Sequence, residues 1–250
     1  DHAGRDLARA RQRGRGVRRC VIWQDGLDIP LVNALDAPFY EVHPDLHQKQ
    51  DGGVTNSSVL TYGAGGQLRP VGDPWDKRYS PLTAYPWEPT YEALQNAATA
   101  SDGSPYDGII MEYSNPLTGG SVMPTMSAHM QMLRPGEHTL AHRQVGSQVY
   151  TAAKGSGHTV INGVRFDWTE GDIFVIPSWA WHEHANASAS DDACLFSFTD
   201  FPVMRSLGFY REEHTPTTTA TRPSERDPDA PGHLLRRRRP VPARRPGRRR

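Results

Sequence analysis

The chain has 250 residues, 36% of them hydrophobic, and its 28 basic and 28 acidic side chains cancel to a formal charge of zero. That length holds one large domain or two small ones, and no apolar run reaches the roughly 18 residues that a membrane-spanning helix needs. The zero hides an asymmetry: residues 1–20 carry seven Arg and residues 214–250 eleven, leaving ten basic against 23 acidic side chains between them, an acidic body that argues against nucleic acid as a partner.

Residues 1–20 are basic and nearly devoid of large apolar side chains, with no apolar core that would make a secretory signal. The two cysteines, Cys20 and Cys194, make neither a disulfide framework nor a thiolate metal site, so a reducing, cytoplasmic setting is expected. Val21–Trp23 is a short strand signal. Asp25 before Gly26 reads as a turn, and Pro30 imposes an extended step on the residue before it. Residues 45–85 are loop-rich, with Gly pairs at 52–53 and 65–66. Trp87–Ala98 reads as a helix with Pro89 in its first turn, followed by a loop through Thr118–Gly120.

From Thr125 the pattern changes to short strands: Ser127–Leu133, Gln148–Ala153, His158–Ile161, Val164–Trp168, Asp172–Ile176 and Leu195–Thr199. Asn162–Gly163 joins two of them and is a strong hairpin signal, because a type I′ turn needs positive φ at both central residues. Six strands at short spacing, with no helix between them, predict an all-β sandwich or small barrel. Residues 201–211 read as a closing helical segment. Residues 214–250, with Arg runs that repel themselves and repeated Pro, read as a disordered basic tail.

Two segments of the strand region carry histidines in suggestive places. One runs from Gly136 through His138, His142 and Gln144 to Gln148; the other runs from Gly171 through Pro177, Trp179, Trp181, His182 and His184 to Asn186. Together they resemble the two signature motifs of the cupin superfamily, G-x5-H-x-H-x3/4-E and G-x5-P-x-G-x2-H-x3-N, which face each other in a double-stranded β-helix, or jelly-roll, barrel. Residues two apart on a strand point the same way, so a His-x-His pair aims two imidazoles inward and a third His completes a facial metal site with open positions. Here His142 matches the first ligand, Gln144 stands at the second His, Gln148 at the acidic position, His182 at the third His and Asn186 at the closing Asn. This is a degenerate site expected to hold no metal. His138 and His184 are expected in loops or in supporting roles, and Trp179 and Trp181 as packing at the barrel mouth.

Four stretches narrow the resemblance: VIWQDGLDIPLVNALDAPFYE (21–41), EYSNPLTGGSVMPTMSAHMQML (112–133), FVIPSWAWHEHAN (174–186) and FPVMRSLGFYREE (201–213). They are similar to gentisate 1,2-dioxygenase and its relatives acting on salicylate or 1-hydroxy-2-naphthoate. The resemblance implies an enzyme with two cupins, with Fe(II) held by three His of the first cupin. It would open the ring of a hydroxylated aromatic acid with O2 to a maleylpyruvate-type product, and relatives commonly form homotetramers. Only one first-barrel site residue carries over, Asp25, as a group lining the active site. The implied organisation is an inter-cupin linker with a remnant of the first cupin (21–124), a C-terminal cupin (125–213), a disordered tail (214–250) and an out-of-frame or disordered segment (1–20). With G/C-rich codons, shifting residues 1–16 by one base yields a Trp-His-Glu-His-Gly-Asn string of the kind that precedes the WQDGLD stretch in the family. The chain is thus expected to be a C-terminal fragment, inactive by itself and free of iron. The alternative is a non-catalytic cupin that serves binding or oligomerisation; a third reading, nucleic-acid binding by the Arg tail, is disfavoured by the acidic body.

Overall fold

The computed structural model describes residues 23–42, 53–64, 68–72 and 75–215. The segments 1–20 and 214–250 of the sequence reading fall outside these, except for His214 and Thr215. Among the described residues, ten strands form two five-stranded antiparallel sheets. The first has the order β1-β2-β9-β4-β7, with β1 at Ile109–Glu112, β2 at Ser127–Leu133, β4 at Gln148–Lys154, β7 at Ile173–Ile176 and β9 at Ala193–Thr199. The second has the order β10-β3-β8-β5-β6, with β3 at His142–Gln144, β5 at Ser156–Ile161, β6 at Val164–Thr169, β8 at His182–Asn186 and β10 at Glu212–His214. Four helices accompany them among the described residues: α1 (Ile29–Ala34), α2 (Ser57–Tyr62), α3 (Trp87–Ala100) and α4 (Phe201–Ser206). The all-β expectation holds, and the two sheets make a cupin barrel.

Alternation on the strands sets up two cores. On β4 and β9 the inward residues Tyr150, Ala152, Ala193 and Leu195 meet Trp168, Ile176 and Ala180 between the sheets. On the outer face of the first sheet, Met130, Met132 and Cys194 pack with Ile109 against Leu94 of α3, which is wholly buried. With both faces of β2 and β9 covered, their sequences lack the clean polar alternation of a half-exposed strand. The Asn162–Gly163 turn is as expected: both residues have positive φ, 47° and 78°, and β5 pairs with β6 directly across it, Ile161 with Val164.

Several local expectations are corrected. Trp23 lies in extended chain outside any strand, and its two predecessors fall outside the described residues. Pro30 lies in the first turn of α1, and Ile29 before it is helical instead of extended, because a proline in the first helical turn lacks only an N–H that has no helical partner anyway. The loop expected after α3 contains β1, an edge strand paired to β2. Strands β3, β8 and β10 were invisible in the hydrophobic pattern because their sequences are HRQ, HEHAN and EEH. Their inward positions carry imidazoles, amides and a carboxylate instead of apolar groups.

Candidate functional site

Strands β10, β3 and β8 lie side by side. Their register sets His214 opposite His142 and His142 opposite His182, with Glu212 opposite Gln144 two rungs away. Three imidazoles therefore form a cross-strand row. The ring centroids of His142 and His182 are 4.3 Å apart, and those of His142 and His214 are 6.1 Å apart. Arg143 points the other way, where its guanidinium sits between the rings of Trp179 and Trp181, at 4.5 and 4.7 Å, and pairs with Glu213 at 2.7 Å. The tryptophans thus clamp an outward arginine. Trp179 occupies the glycine position of the second cupin motif and keeps that position's left-handed backbone, φ 64°. The arginine clamp and the Trp179 N–H donated to the Gln144 carbonyl, 2.9 Å, hold it there.

Burial disfavours the charged form of His182 and His184. His182 donates from Nδ1 to the Ala180 carbonyl at 3.0 Å, which leaves its Nε2 without a partner. Loss of solvation on burial, reinforced by the neighbouring His142, holds His182 well below the usual imidazole range. His184 was expected in a loop or supporting role; it lies in β8, wholly buried. Thr159 Oγ1 accepts from the Trp168 indole at 3.0 Å and can donate to His184 Nδ1 at 2.8 Å. Burial pushes His184 down to about 3. His138 instead reaches Glu183 at 3.3 Å from a half-exposed position.

The amides are committed elsewhere. Gln144 accepts from the Tyr210 hydroxyl at 3.1 Å, and Gln148 accepts from the Tyr150 hydroxyl at 2.9 Å. Asn186 donates to the carbonyls of Leu133, Arg134 and Asp191 at 3.2, 2.9 and 2.8 Å and accepts from the Ser188 N–H at 2.9 Å. It is a structural knot joining the ends of β2 and β8.

Asp25 lies apart from this row. Residues 23–28 run without regular structure over the outer face of the first sheet: Gln24 bonds Thr151, Gly26 lies on the Phe198 ring, and Asp28 accepts from Thr125 at 2.7 Å. The alternate residues Trp23, Asp25 and Leu27 are exposed, so Asp25 faces away from the barrel.

Two cavities adjoin the barrel. One, about 260 Å³, is lined by Asp107, Glu112, His129, Gln144, Arg205 and Glu212 among others. Three carboxylates face one guanidinium there, which disfavours an anionic guest. The second, about 410 Å³, is walled by groups such as Tyr85, Trp87, Tyr113 and Phe196, and no charged residue lines it.

The sequence profile of the cupin domain matches residues 129–199. The chain is 45% identical to 5-aminosalicylate 1,2-dioxygenase of Comamonas sp. over 195 residues, covering 77% of this chain and 50% of that protein. It is 37% identical to gentisate 1,2 dioxygenase 1 of Aquipseudomonas alcaligenes, covering 77% and 54%. Among solved structures it matches salicylate 1,2-dioxygenase from Pseudaminobacter salicylatoxidans with a TM-score of 0.66 at 32% identity, covering 75% of this chain and 53% of that one. The resemblance to gentisate 1,2-dioxygenase and its relatives expected from the sequence is thus shown. It spans about half the length of the relatives it matches.

The resemblance implies ferrous iron, so the barrel interior can be tested for it. His142 and His182 each present a buried Nε2 without a hydrogen-bond partner. Gln144, at the second-ligand position, has its oxygen engaged by Tyr210. Among the described residues, the one group of three His, Cys, Asp or Glu side chains whose donor atoms all lie within 4.8 Å is His142, Glu212 and His214, so no third strong donor joins His142 and His182. Two imidazoles and an occupied amide do not fit a ferrous site with open positions. His214 and Glu212 were missed by the sequence reading. No motif marks them, and only their register against β3 brings them to His142.

Proposed function

We propose that the protein takes part in the O2-dependent ring opening of a hydroxylated or amino-substituted aromatic acid of the gentisate and 5-aminosalicylate class, and that the barrel described here is its non-catalytic half. The 45% identity to 5-aminosalicylate 1,2-dioxygenase over 195 residues carries the first part. The barrel's chemistry supports the second: its histidine–glutamine set does not fit iron, one adjoining cavity is rich in carboxylates, and the other has no cation to hold a substrate carboxylate. The barrel's work is then to present the segment 23–28, with Asp25 facing outward as a group that lines an active site, and to support a homo-oligomer.

Oxygen uptake tests this. With Fe(II) and gentisate or 5-aminosalicylate, the 250-residue chain should consume no O2 above the background of free iron. A chain that carries this sequence behind an intact first barrel of a relative should turn over, and Asp25→Asn in it should lower kcat/KM at least about tenfold, an interaction of roughly 1.4 kcal/mol at the transition state, without moving the melting temperature. Turnover by the 250-residue chain alone would place catalysis in this barrel and overturn the division of labour. Inertness of both proteins toward every aromatic acid offered would remove the ring-cleaving reading.

A further inference from the structure

We propose that His142, Glu212 and His214 bind one divalent first-row transition-metal ion that clasps the terminal strand β10 onto the barrel. Strand β10 has three residues and, among the described residues, pairs only with β3, and so short a pairing holds little stability by itself. Its register places both Glu212 and His214 on the inward face of the sheet, beside His142. Glu212 Oε1 lies 3.4 Å from His142 Nδ1 and 3.0 Å from His214 Nε2, and all three donor atoms fall within 4.8 Å of one another. Metal–nitrogen and metal–oxygen bonds of about 2.0–2.2 Å put the donors of one ion roughly 3–3.5 Å apart. Two of the three separations already match, and a small rotation of the exposed His214 side chain closes the third.

The second observation is on the far side of the His142 ring. The side chain is buried, at 1% exposure, and its Nε2 has no hydrogen-bond partner, yet the Asp107 carboxylate stands 3.6 Å away. Asp107 is itself oriented by the Ser104 hydroxyl at 3.0 Å. With either tautomer of a neutral His142, one bare nitrogen lone pair faces a carboxylate, which is repulsive. An ion on Nδ1 fixes the proton on Nε2, directs it at Asp107 and neutralises Glu212, giving the carboxylate–histidine–metal order in which an outer carboxylate orients the ligand. Tyr106 covers the group, its ring centroid 4.2 Å from that of His214 and 5.9 Å from that of His142. Two imidazoles and one carboxylate suit Zn(II), Co(II), Ni(II) or Fe(II) better than Ca(II) or Mg(II). The site is separate from the histidine–glutamine positions of the cupin motifs, sharing only His142 with them.

The test titrates the chelator-stripped 250-residue chain with Co(II), reading visible d–d absorption and melting temperature. One Co(II) per chain is expected, with a rise in melting temperature of about 5 °C at a hundredfold excess over the dissociation constant. Glu212→Gln and His214→Ala should each abolish both signals while melting cooperatively without metal, and Asp107→Asn should weaken binding at least about tenfold. His182→Gln and Gln144→Ala should bind as the unaltered chain does. If the folded chain takes up no stoichiometric Co(II), the proposal fails. If binding survives Glu212→Gln but is lost in His182→Gln, the ion sits in the barrel interior and the clasp is wrong.

Discussion

His184 shows how much of a single residue's behaviour is set by its surroundings. A histidine two positions past a motif histidine looks like a spare, but here its ring is wholly buried against Tyr150 and Thr159. Burial holds it at about 3, against an ordinary value of 6.5. Above pH 6.5 the imidazole is neutral in both folded and unfolded chains and costs nothing. As pH falls from 6.5 toward 3, the unfolded chain takes up a proton that the folded chain refuses, so stability is lost over that window. The slope reaches about 1.4 kcal/mol per pH unit for one such group, and His182, held low for the same reason, adds to it. Urea unfolding between pH 7 and pH 4 should show His184→Leu losing stability less steeply than the unaltered chain, whatever its stability at pH 7. Parallel slopes would mean that the ring is not buried neutral.

Among the elements, the short strands β3, β8 and β10 matter most for the site and carry the least sequence signal. Strand β8 is held by β5, and the contact is close enough to dictate a residue. A Cβ at Gly157 would collide with the Ala185 carbonyl across the pair and with the Trp168 indole, neither of which can move without breaking the sheet or the core. Gly157→Ala is therefore expected to destabilise by about 2 kcal/mol, as overpacking in a filled interior does, read as a lower urea midpoint with unchanged slope. An unaffected midpoint would mean that β5 and β8 sit farther apart than described. The helix α3 was legible because Pro89 and its apolar spacing marked it. Strand β1 was not, because an edge strand with only Ile109 buried presents no period-two pattern to read.

For the whole molecule, the decisive feature is that the central strands β2 and β9 of the first sheet are covered on both faces, by the opposite sheet inside and by α3 and residues 23–28 outside. Cys194 reports on this packing. It lies in β9 beneath α3, wholly buried, and burial pushes its thiol up to about 12. A thiol reagent at pH 8 should leave Cys194 unlabelled in the native chain and label it only in denaturant, as mass spectrometry of the Cys194 peptide would show. Native labelling at an ordinary thiol rate would mean that α3 does not stay docked.

The sequence by itself determined the barrel. Strand-length alternation from residue 127 onward, the Asn162–Gly163 turn and the spacing of the two histidine motifs are local features. Local sterics and side-chain period convert them into strands, hairpins and inward-facing rings, while the narrower resemblance rested on the stretches 21–41, 112–133, 174–186 and 201–213. The tertiary structure alone decided which polar groups meet. Gln144 and Gln148 are spent on Tyr210 and Tyr150, Asn186 ties two strand ends together, and Asp25 faces outward on the opposite sheet from the histidine row. Glu212 and His214 reach His142 across about 70 residues because β10 pairs in one register with β3. Strand pairing between distant segments depends on the closure of the whole barrel, and no local pattern in a sequence such as EEH encodes it.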